Sequence, residues 1–137
     1  MNSSKPILLV DDDLVDVMTI ERASKELKIG NEFVRAANGE EALAYLRNPD
    51  NESPCIILLD LNMPRMNGHE FLLHVKSDDD LRRIPVVVLT TSREEEDRQK
   101  SFQMGVAGYM VKPADYQQFL KLMRTIDAYW TWSELPD

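Results

Sequence analysis

Short apolar runs alternate along the chain with longer segments whose apolar residues recur at helical spacing. Four apolar runs predict strands, over residues 7–10, 55–59, 85–89 and 107–111, and residues 32–36 predict a weaker strand. Helical patterns follow them, over residues 17–27, 38–46, 70–76, 94–104 and 116–130. Runs without polar alternation are typical of parallel strands that helices cover on both faces. The alternation predicts an α/β fold, a three-layer sandwich around a five-stranded parallel sheet.

Length and composition are those of one globular domain with a real hydrophobic core. The chain has 137 residues, of which 43% are hydrophobic and 29% are charged. We interpret residues 1–137 as a single domain whose core covers about residues 5–131. The one cysteine, Cys55, excludes a disulfide framework within the chain.

Charge and hydropathy argue against two classes of partner. The net charge is −8, and the densest basic group, Lys76 with Arg82 and Arg83, is diluted by Asp78–Asp80. Nucleic-acid binders usually carry a basic patch, so we expect no nucleic-acid partner. No stretch approaches the roughly 20 apolar residues of a membrane span. The first apolar run ends in three aspartates, unlike a signal peptide, so we expect a cytoplasmic protein without a membrane partner.

Polar residues of a few chemical types stand where four of the predicted strands end. Asp11 and Asp12 follow the first strand, Asp60 ends the third, Thr90 ends the fourth and Lys112 ends the fifth. The carboxyl ends of parallel strands meet at one edge of a sheet, where α/β proteins bind their ligands. We therefore expect these five side chains to gather at one site.

The chemistry of such a site can be worked out from its groups. Crowded carboxylates repel one another unless a cation lies among them, and oxygen ligands suit Mg²⁺ or another hard ion. A carboxylate can attack phosphorus and form an acyl phosphate. The metal, a lysine and a hydroxyl would then neutralise charge on the phosphoryl oxygens. Asp60 is the best nucleophile because it lies between an apolar strand and a loop that carries proline and glycine.

Each of these residues also has an ordinary structural interpretation when it is taken alone. Asp11–Asp13 could cap a helix, since aspartate is favoured there. Asp60 could be a turn residue, Thr90 could cap the next helix, and Lys112 before a proline carries little information. Their joint occurrence at four strand ends favours the functional interpretation.

Four segments resemble, in order, the motifs of response-regulator receiver domains. They are Ile7-Leu-Leu-Val-Asp-Asp-Asp13, Leu58-Leu-Asp-Leu-Asn-Met-Pro-Arg-Met-Asn-Gly68, Pro85-Val-Val-Val-Leu-Thr-Thr91 and Gly108-Tyr-Met-Val-Lys-Pro113. The match runs from about residue 5 to residue 131. It implies a flavodoxin-like (βα)5 fold and a single receiver domain over residues 1–137 with no output domain.

The resemblance also implies a role for each matching residue of the site. Asp60 is the phosphoacceptor, and Lys112 pairs with the phosphoryl group. Mg²⁺ is held by Asp12 directly, by Asp11 directly or through water, by Asp60 and by the backbone carbonyl of Asn62.

The resemblance further implies a conformational switch. Thr90 supplies the hydroxyl that follows the phosphoryl group, and Tyr109 is the aromatic residue that moves inward with it. A cis peptide is expected before Pro113. Thr91 stands where the family usually has alanine, which adds bulk over the site.

Within the family, the segments Leu89-Thr-Thr-Ser92 and Asp80-Leu-Arg-Arg-Ile-Pro85 look like stand-alone regulators associated with bacterial phytochromes. That likeness implies a phosphorelay regulator served by a sensor histidine kinase, with a phytochrome-type kinase among the candidates, or by a phosphotransfer protein. We expect self-catalysed phosphoryl transfer and autodephosphorylation, and no enzymatic action on a separate substrate. The last helix is a candidate surface for a homodimer or a kinase contact, because Trp132 lies beyond its apolar stripe.

Three other functions are less well supported. A degenerate receiver could act as a phosphorylation-independent scaffold, but all its key positions are filled. A phosphatase of the haloacid dehalogenase class needs an acid two residues after the nucleophile, where this chain has Asn62. A flavodoxin-like redox protein needs a loop that cradles phosphate, and three aspartates there would repel it.

Overall fold

Five strands and five α-helices alternate in the computed structural model, which describes residues 5–132, with side chains described through residue 129. A short 3-10 helix, Leu81–Arg83, precedes the fourth strand. The strands are β1 (Ile7–Val10), β2 (Phe33–Ala36), β3 (Ile56–Leu59), β4 (Val86–Thr90) and β5 (Gly108–Val111). The helices are α1 (Leu14–Glu26), α2 (Gly39–Arg47), α3 (Gly68–Ser77), α4 (Glu95–Gln103) and α5 (Tyr116–Trp132). Within the described residues, none of these helices combines the length and the apolar character needed to span a bilayer.

The five strands form one parallel sheet in the order β2-β1-β3-β4-β5. The strand order reverses at β1, because β2 lies on one side of it and β3 on the other. In open α/β sheets a ligand crevice forms outside the carboxyl ends of the strands at such a switch point. Val10 of β1 is in register with Leu59 of β3. The next residues, Asp11 and Asp60, therefore leave the sheet side by side.

Apolar side chains cover both faces of the sheet. On one face, Leu8 and Val10 of β1 pack with residues of α2 and α3. On the other, Ile7 and Leu9 pack with residues of α1 and α5. Burial on both faces explains why β1 shows no polar alternation. It confirms the predicted three-layer sandwich.

Two helices begin earlier than their apolar periodicity predicts. The side chain of Asp13 accepts hydrogen bonds at the start of α1, so this helix begins at Leu14. At α3, Asn67 and Glu70 form a capping box, and the helix begins at Gly68. The first apolar residues of α1, Leu14 and Val15, are exposed and lie off its buried face, and the cap of α3 is polar, so the buried apolar pattern of both helices starts late.

Candidate functional site

Three carboxylates lie together at the carboxyl edge of the sheet, beside the switch between β1 and β3. Asp11 and Asp60 are buried, and Asp12 is exposed. One oxygen atom of each carboxylate lies within 4.8 Å of those of the other two. Hard divalent cations prefer such oxygen ligands in proteins. The structure thus brings together the predicted metal-binding carboxylates, and their chemistry fits a divalent cation.

The ammonium group of Lys112 faces these carboxylates. Its Nζ atom lies 2.7 Å from Asp11 Oδ2, 2.6 Å from Asp16 Oδ2 and 3.4 Å from Asp60 Oδ2. Lys112 follows β5, two strands away from β3, so its side chain extends along the edge of the sheet. Only 4% of that side chain is exposed, so these ion pairs are weakly screened by solvent.

Burial and charge shift the proton affinities of the site. Burial raises the pKa of Asp11 to about 6, although hydrogen bonds from Lys112 and from the backbone N–H of Asp13 oppose the shift. Burial alone would lower the pKa of Lys112, but its hydrogen bonds to Asp11 and Asp16 and the charge of Asp60 raise that pKa above its ordinary value. Lys112 therefore keeps its proton, and the carboxylates around it outnumber it.

Two residues that the sequence reasoning missed also contribute to the site. Asp16, in the first turn of α1, binds Lys112. Arg35 of β2 donates from Nε to the carbonyl of Asp11 at 3.2 Å and from Nη2 to the carbonyl of Asp12 at 3.3 Å. Asp16 lies in the first helical turn after the acidic residues that follow β1, and this position could have identified it from the sequence. Arg35 carries no such signal, because an exposed arginine in a strand is common.

The predicted switch residues contact the same part of the β4–α4 loop. Thr90 is fully buried, and its Oγ1 accepts a hydrogen bond from the backbone N–H of Ser92 at 3.3 Å. The Tyr109 hydroxyl donates to the Ser92 carbonyl at 3.0 Å. The Ser92 hydroxyl donates to Asp97 of α4 at 2.6 Å. Ser92 thus links Thr90, Tyr109 and α4, while the adjacent Thr91 is exposed.

The loop after β3 is held close to α3. The backbone N–H of Asn62 donates to Asp60 Oδ1 at 3.2 Å. A Cβ atom on Gly68 would lie 2.8 Å from the Asp60 carbonyl oxygen and 2.7 Å from Leu61 Cα. These are backbone atoms that cannot move aside cheaply, so glycine is required where α3 begins. Asn62 lies on this loop and is exposed.

The prediction of a cis peptide bond before Pro113 is wrong. No peptide bond among residues 5–132 is cis. The trans form before proline is the more stable by about 0.5–1 kcal/mol, and the Lys112 N–H donates to the Thr90 carbonyl at 2.7 Å beside it.

Comparison with known proteins now decides the family. Residues 7–124 match the family described as the response regulator receiver domain. The chain belongs to this family. Receiver domains of this family are components of two-component signalling, so the chain is a response regulator of a phosphorelay, as its motifs predicted.

Two regulators among its relatives match this chain over most of their own length. Response regulator Rcp1 of Synechocystis sp. is 36% identical over 133 residues, which cover 94% of this chain and 90% of Rcp1. The probable methanogenesis regulatory protein FilR2 of Methanothrix harundinacea is 36% identical over 134 residues, covering 95% of this chain and 86% of FilR2. The similarity therefore extends over most of each protein.

Solved structures support both the fold and the resemblance to stand-alone regulators associated with phytochromes. The phosphorylated cyanobacterial phytochrome response regulator RcpA matches with a TM-score of 0.91 and 38% identity, over 98% of this chain and all of that one. The Mn²⁺-bound form of Rcp1 matches with a TM-score of 0.89 and 36% identity, over 97% and 99%. The flavodoxin-like fold is confirmed, as is the resemblance to stand-alone phytochrome regulators.

Proposed function

We propose that this receiver signals by accepting a phosphoryl group on Asp60. The observation that carries the proposal is the position of the Asp60 carboxylate, which lies at the switch point of the sheet with Lys112 Nζ 3.4 Å from its Oδ2. RcpA, which is 38% identical, has been solved in a phosphorylated form. The presence of Asp60, Thr90 and Lys112 also supports a working receiver over a degenerate scaffold.

In the proposed step, a carboxylate oxygen of Asp60 attacks the phosphorus of a phosphohistidine on the donor protein. The O–P bond forms as the P–N bond breaks, and the electron pair of that bond stays on the imidazole, which takes up a proton. Lys112 would pair with one phosphoryl oxygen, and the Thr90 hydroxyl would donate to another. In autodephosphorylation, water attacks the same phosphorus and releases phosphate and the free carboxylate.

We propose Mg²⁺ as the resident cation, held by Asp11, Asp12, Asp60 and the backbone carbonyl of Asn62. When bound, it would offset negative charge on the phosphoryl oxygens. Two observations support a divalent ion with a preference for oxygen. The donor set is entirely oxygen, and the related regulator Rcp1 binds Mn²⁺.

We propose a sensor histidine kinase as the donor, with a phytochrome-type kinase as the first candidate, or a phosphotransfer protein. RcpA, a phytochrome response regulator, supports the first choice. The sensor histidine kinase CheAY of Helicobacter pylori is 32% identical over 107 residues, although these make up only 13% of that protein. The reaction would be confined to Asp60 of the chain itself, with no separate substrate, and would take place in the cytoplasm.

Incubation with acetyl phosphate and Mg²⁺ tests the proposed chemistry. The intact wild-type protein should gain the mass of one phosphoryl group, which treatment with acid or hydroxylamine removes. Asp60→Asn should gain none, because an amide is a poor nucleophile, and EDTA should prevent labelling of the wild type. The exposed Asp50→Asn is the matched control and should label like the wild type. Full labelling of Asp60→Asn would overturn the assignment.

We also propose that the end of α5 forms a homodimer or kinase interface. Tyr129 is 61% exposed there, and large aromatic residues are enriched at interface hot spots. The side chains of Trp130 and Trp132 lie outside the described residues. Sedimentation of wild type and Trp132→Ala, with and without beryllofluoride, tests self-association. A wild type that stays monomeric at high concentration in both conditions would rule out the homodimer.

A further inference from the structure

We propose that Asp16 is a positioning residue that holds the Lys112 ammonium in the resting receiver and competes for it with the phosphoryl group on Asp60. This inference rests on the proposed phosphorylation of Asp60. Lys112 Nζ lies 2.6 Å from Asp16 Oδ2 but 3.4 Å from Asp60 Oδ2. The ammonium therefore binds Asp16 more closely than it binds the carboxylate that accepts the phosphoryl group.

The Lys112 ammonium can donate only a few strong hydrogen bonds, so the carboxylates around it compete for its donors. A lysine ammonium has three N–H donors and no acceptor. Short charge-assisted hydrogen bonds, to Asp11 at 2.7 Å and to Asp16 at 2.6 Å, occupy two of them. The contact with Asp60 is the long one of the three. Charge-assisted bonds of normal length are about twice as strong as neutral ones, so the two short bonds largely determine where Nζ lies.

An acidic residue in the first turn of a helix has a simpler interpretation. Negative charge there interacts favourably with the positive end of the helix dipole, and Asp16 lies in the first turn of α1. That role does not require any contact with Lys112, which is 96 positions away along the chain. The Asp16 side chain is 27% exposed, so it is partly withdrawn from solvent and bound to a side chain that is 4% exposed.

A phosphoryl group on Asp60 changes the competition for the ammonium. It brings additional negative charge to the carboxylate that lies 3.4 Å from Nζ. To pair with it, Lys112 must shift towards Asp60 and weaken its bond to Asp16. Replacing Asp16 with asparagine keeps the shape but removes the charge. We expect the variant to bind a phosphoryl-like anion more tightly, because its rival for Lys112 is weaker and a repelling charge is gone.

Beryllofluoride binding in saturating Mg²⁺ tests the inference by titration. Asp16→Asn should bind about 3- to 20-fold more tightly than the wild type, the range expected for a charge-assisted hydrogen bond that is partly exposed to solvent. Glu21→Gln removes one exposed charge from the same helix away from Lys112 and should change affinity less than twofold. In a Lys112→Met background, the gain from Asp16→Asn should shrink at least threefold, since the residue acts through that lysine.

A second readout needs no metal or anion. The ¹⁵N chemical shift of Lys112 Nζ in metal-free protein should change in Asp16→Asn and stay constant in Glu21→Gln. The inference is overturned if Asp16→Asn binds beryllofluoride like the wild type, or if its gain is the same with and without Lys112. A wild type that binds no beryllofluoride and takes no phosphoryl group on Asp60 would instead overturn the proposed function.

Discussion

Replacing Lys112 with methionine should destabilise the metal-free protein, because it leaves buried carboxylates without their counter-charge. Methionine keeps much of the length and apolar volume of the lysine side chain but removes the ammonium. Asp11 and Asp60, whose side chains are 1% and 9% exposed, would then face each other with no cation between them. Asp16, at 27% exposure, is better solvated and would lose less.

The magnitude follows from burial. Removal of one partner from a buried ion pair typically costs about 3–5 kcal/mol, whereas an exposed pair is worth about 0–1 kcal/mol. The bonds to Asp11 and Asp60 belong to the first class and the bond to Asp16 lies between the two. Protonation of Asp11, whose pKa burial already raises to about 6, would relieve part of the repulsion. We therefore expect a loss of about 3 kcal/mol at neutral pH.

Urea unfolding followed by circular dichroism measures this loss. In EDTA, Lys112→Met should unfold at lower urea than the wild type, and Mg²⁺ should stabilise the variant more than the wild type, because the cation replaces the missing charge. Ligand at 100 times its Kd stabilises by about 2.7 kcal/mol. Lys121→Met, an exposed position on α5, is the control and should change stability by less than about 0.5 kcal/mol. A loss no larger than that of the control would refute the reasoning.

Three further predictions concern the switch, the loop and pH. Thr90→Ala should still accept a phosphoryl group, but its change of conformation on phosphorylation should be smaller. Loss of the hydroxyl contact, worth about 1–3 kcal/mol, changes the ratio of two conformations roughly 5- to 150-fold. The NMR signals of Tyr109, compared with and without beryllofluoride, should therefore shift less than in the wild type. Gly68→Ala should lose about 1–3 kcal/mol in urea unfolding through backbone overpacking, whereas Gly30→Ala, which meets no atom, should not. Burial raises the pKa of Asp11 in the folded protein to about 6, above its ordinary value of 3.8. The folded metal-free protein therefore binds a proton before the unfolded chain does, and its free energy of unfolding should rise by about 1 kcal/mol as the pH falls from about 7.5 to about 5. Urea unfolding at each pH measures this rise, and an equal rise in Asp11→Asn would contradict the reasoning.

Much of the site could be predicted because strand ends in a parallel sheet share one edge. Apolar runs locate the ends of β1, β3, β4 and β5. Asp11, Asp60 and Lys112 directly follow β1, β3 and β5, and Thr90 is the last residue of β4. The periodicity does not specify strand order. The close approach of Asp11 to Asp60 depends on β1 and β3 being neighbours, which the topology rather than the pattern reveals.

The rest of the site depends on contacts between residues far apart in sequence. Asp16 pairs with a lysine 96 positions away, and Arg35 binds backbone carbonyls 23 and 24 positions away. Hydrophobic periodicity carries no information about such contacts, since it records only which face of an element is buried. Helix starts were missed for a related reason, because the capping residues Asp13 and Asn67 are polar and precede the periodic stretch.

The central claim, that Asp60 is the phosphoacceptor, is tested most directly by locating the acyl phosphate. Protein treated with acetyl phosphate and Mg²⁺ is reduced with borohydride, which converts an aspartyl phosphate to homoserine, and is then mapped by peptide mass spectrometry. We expect homoserine at position 60 and at no other aspartate. Homoserine at Asp11 or Asp12 with Asp60 unchanged, in protein that carries one phosphoryl group, would contradict it.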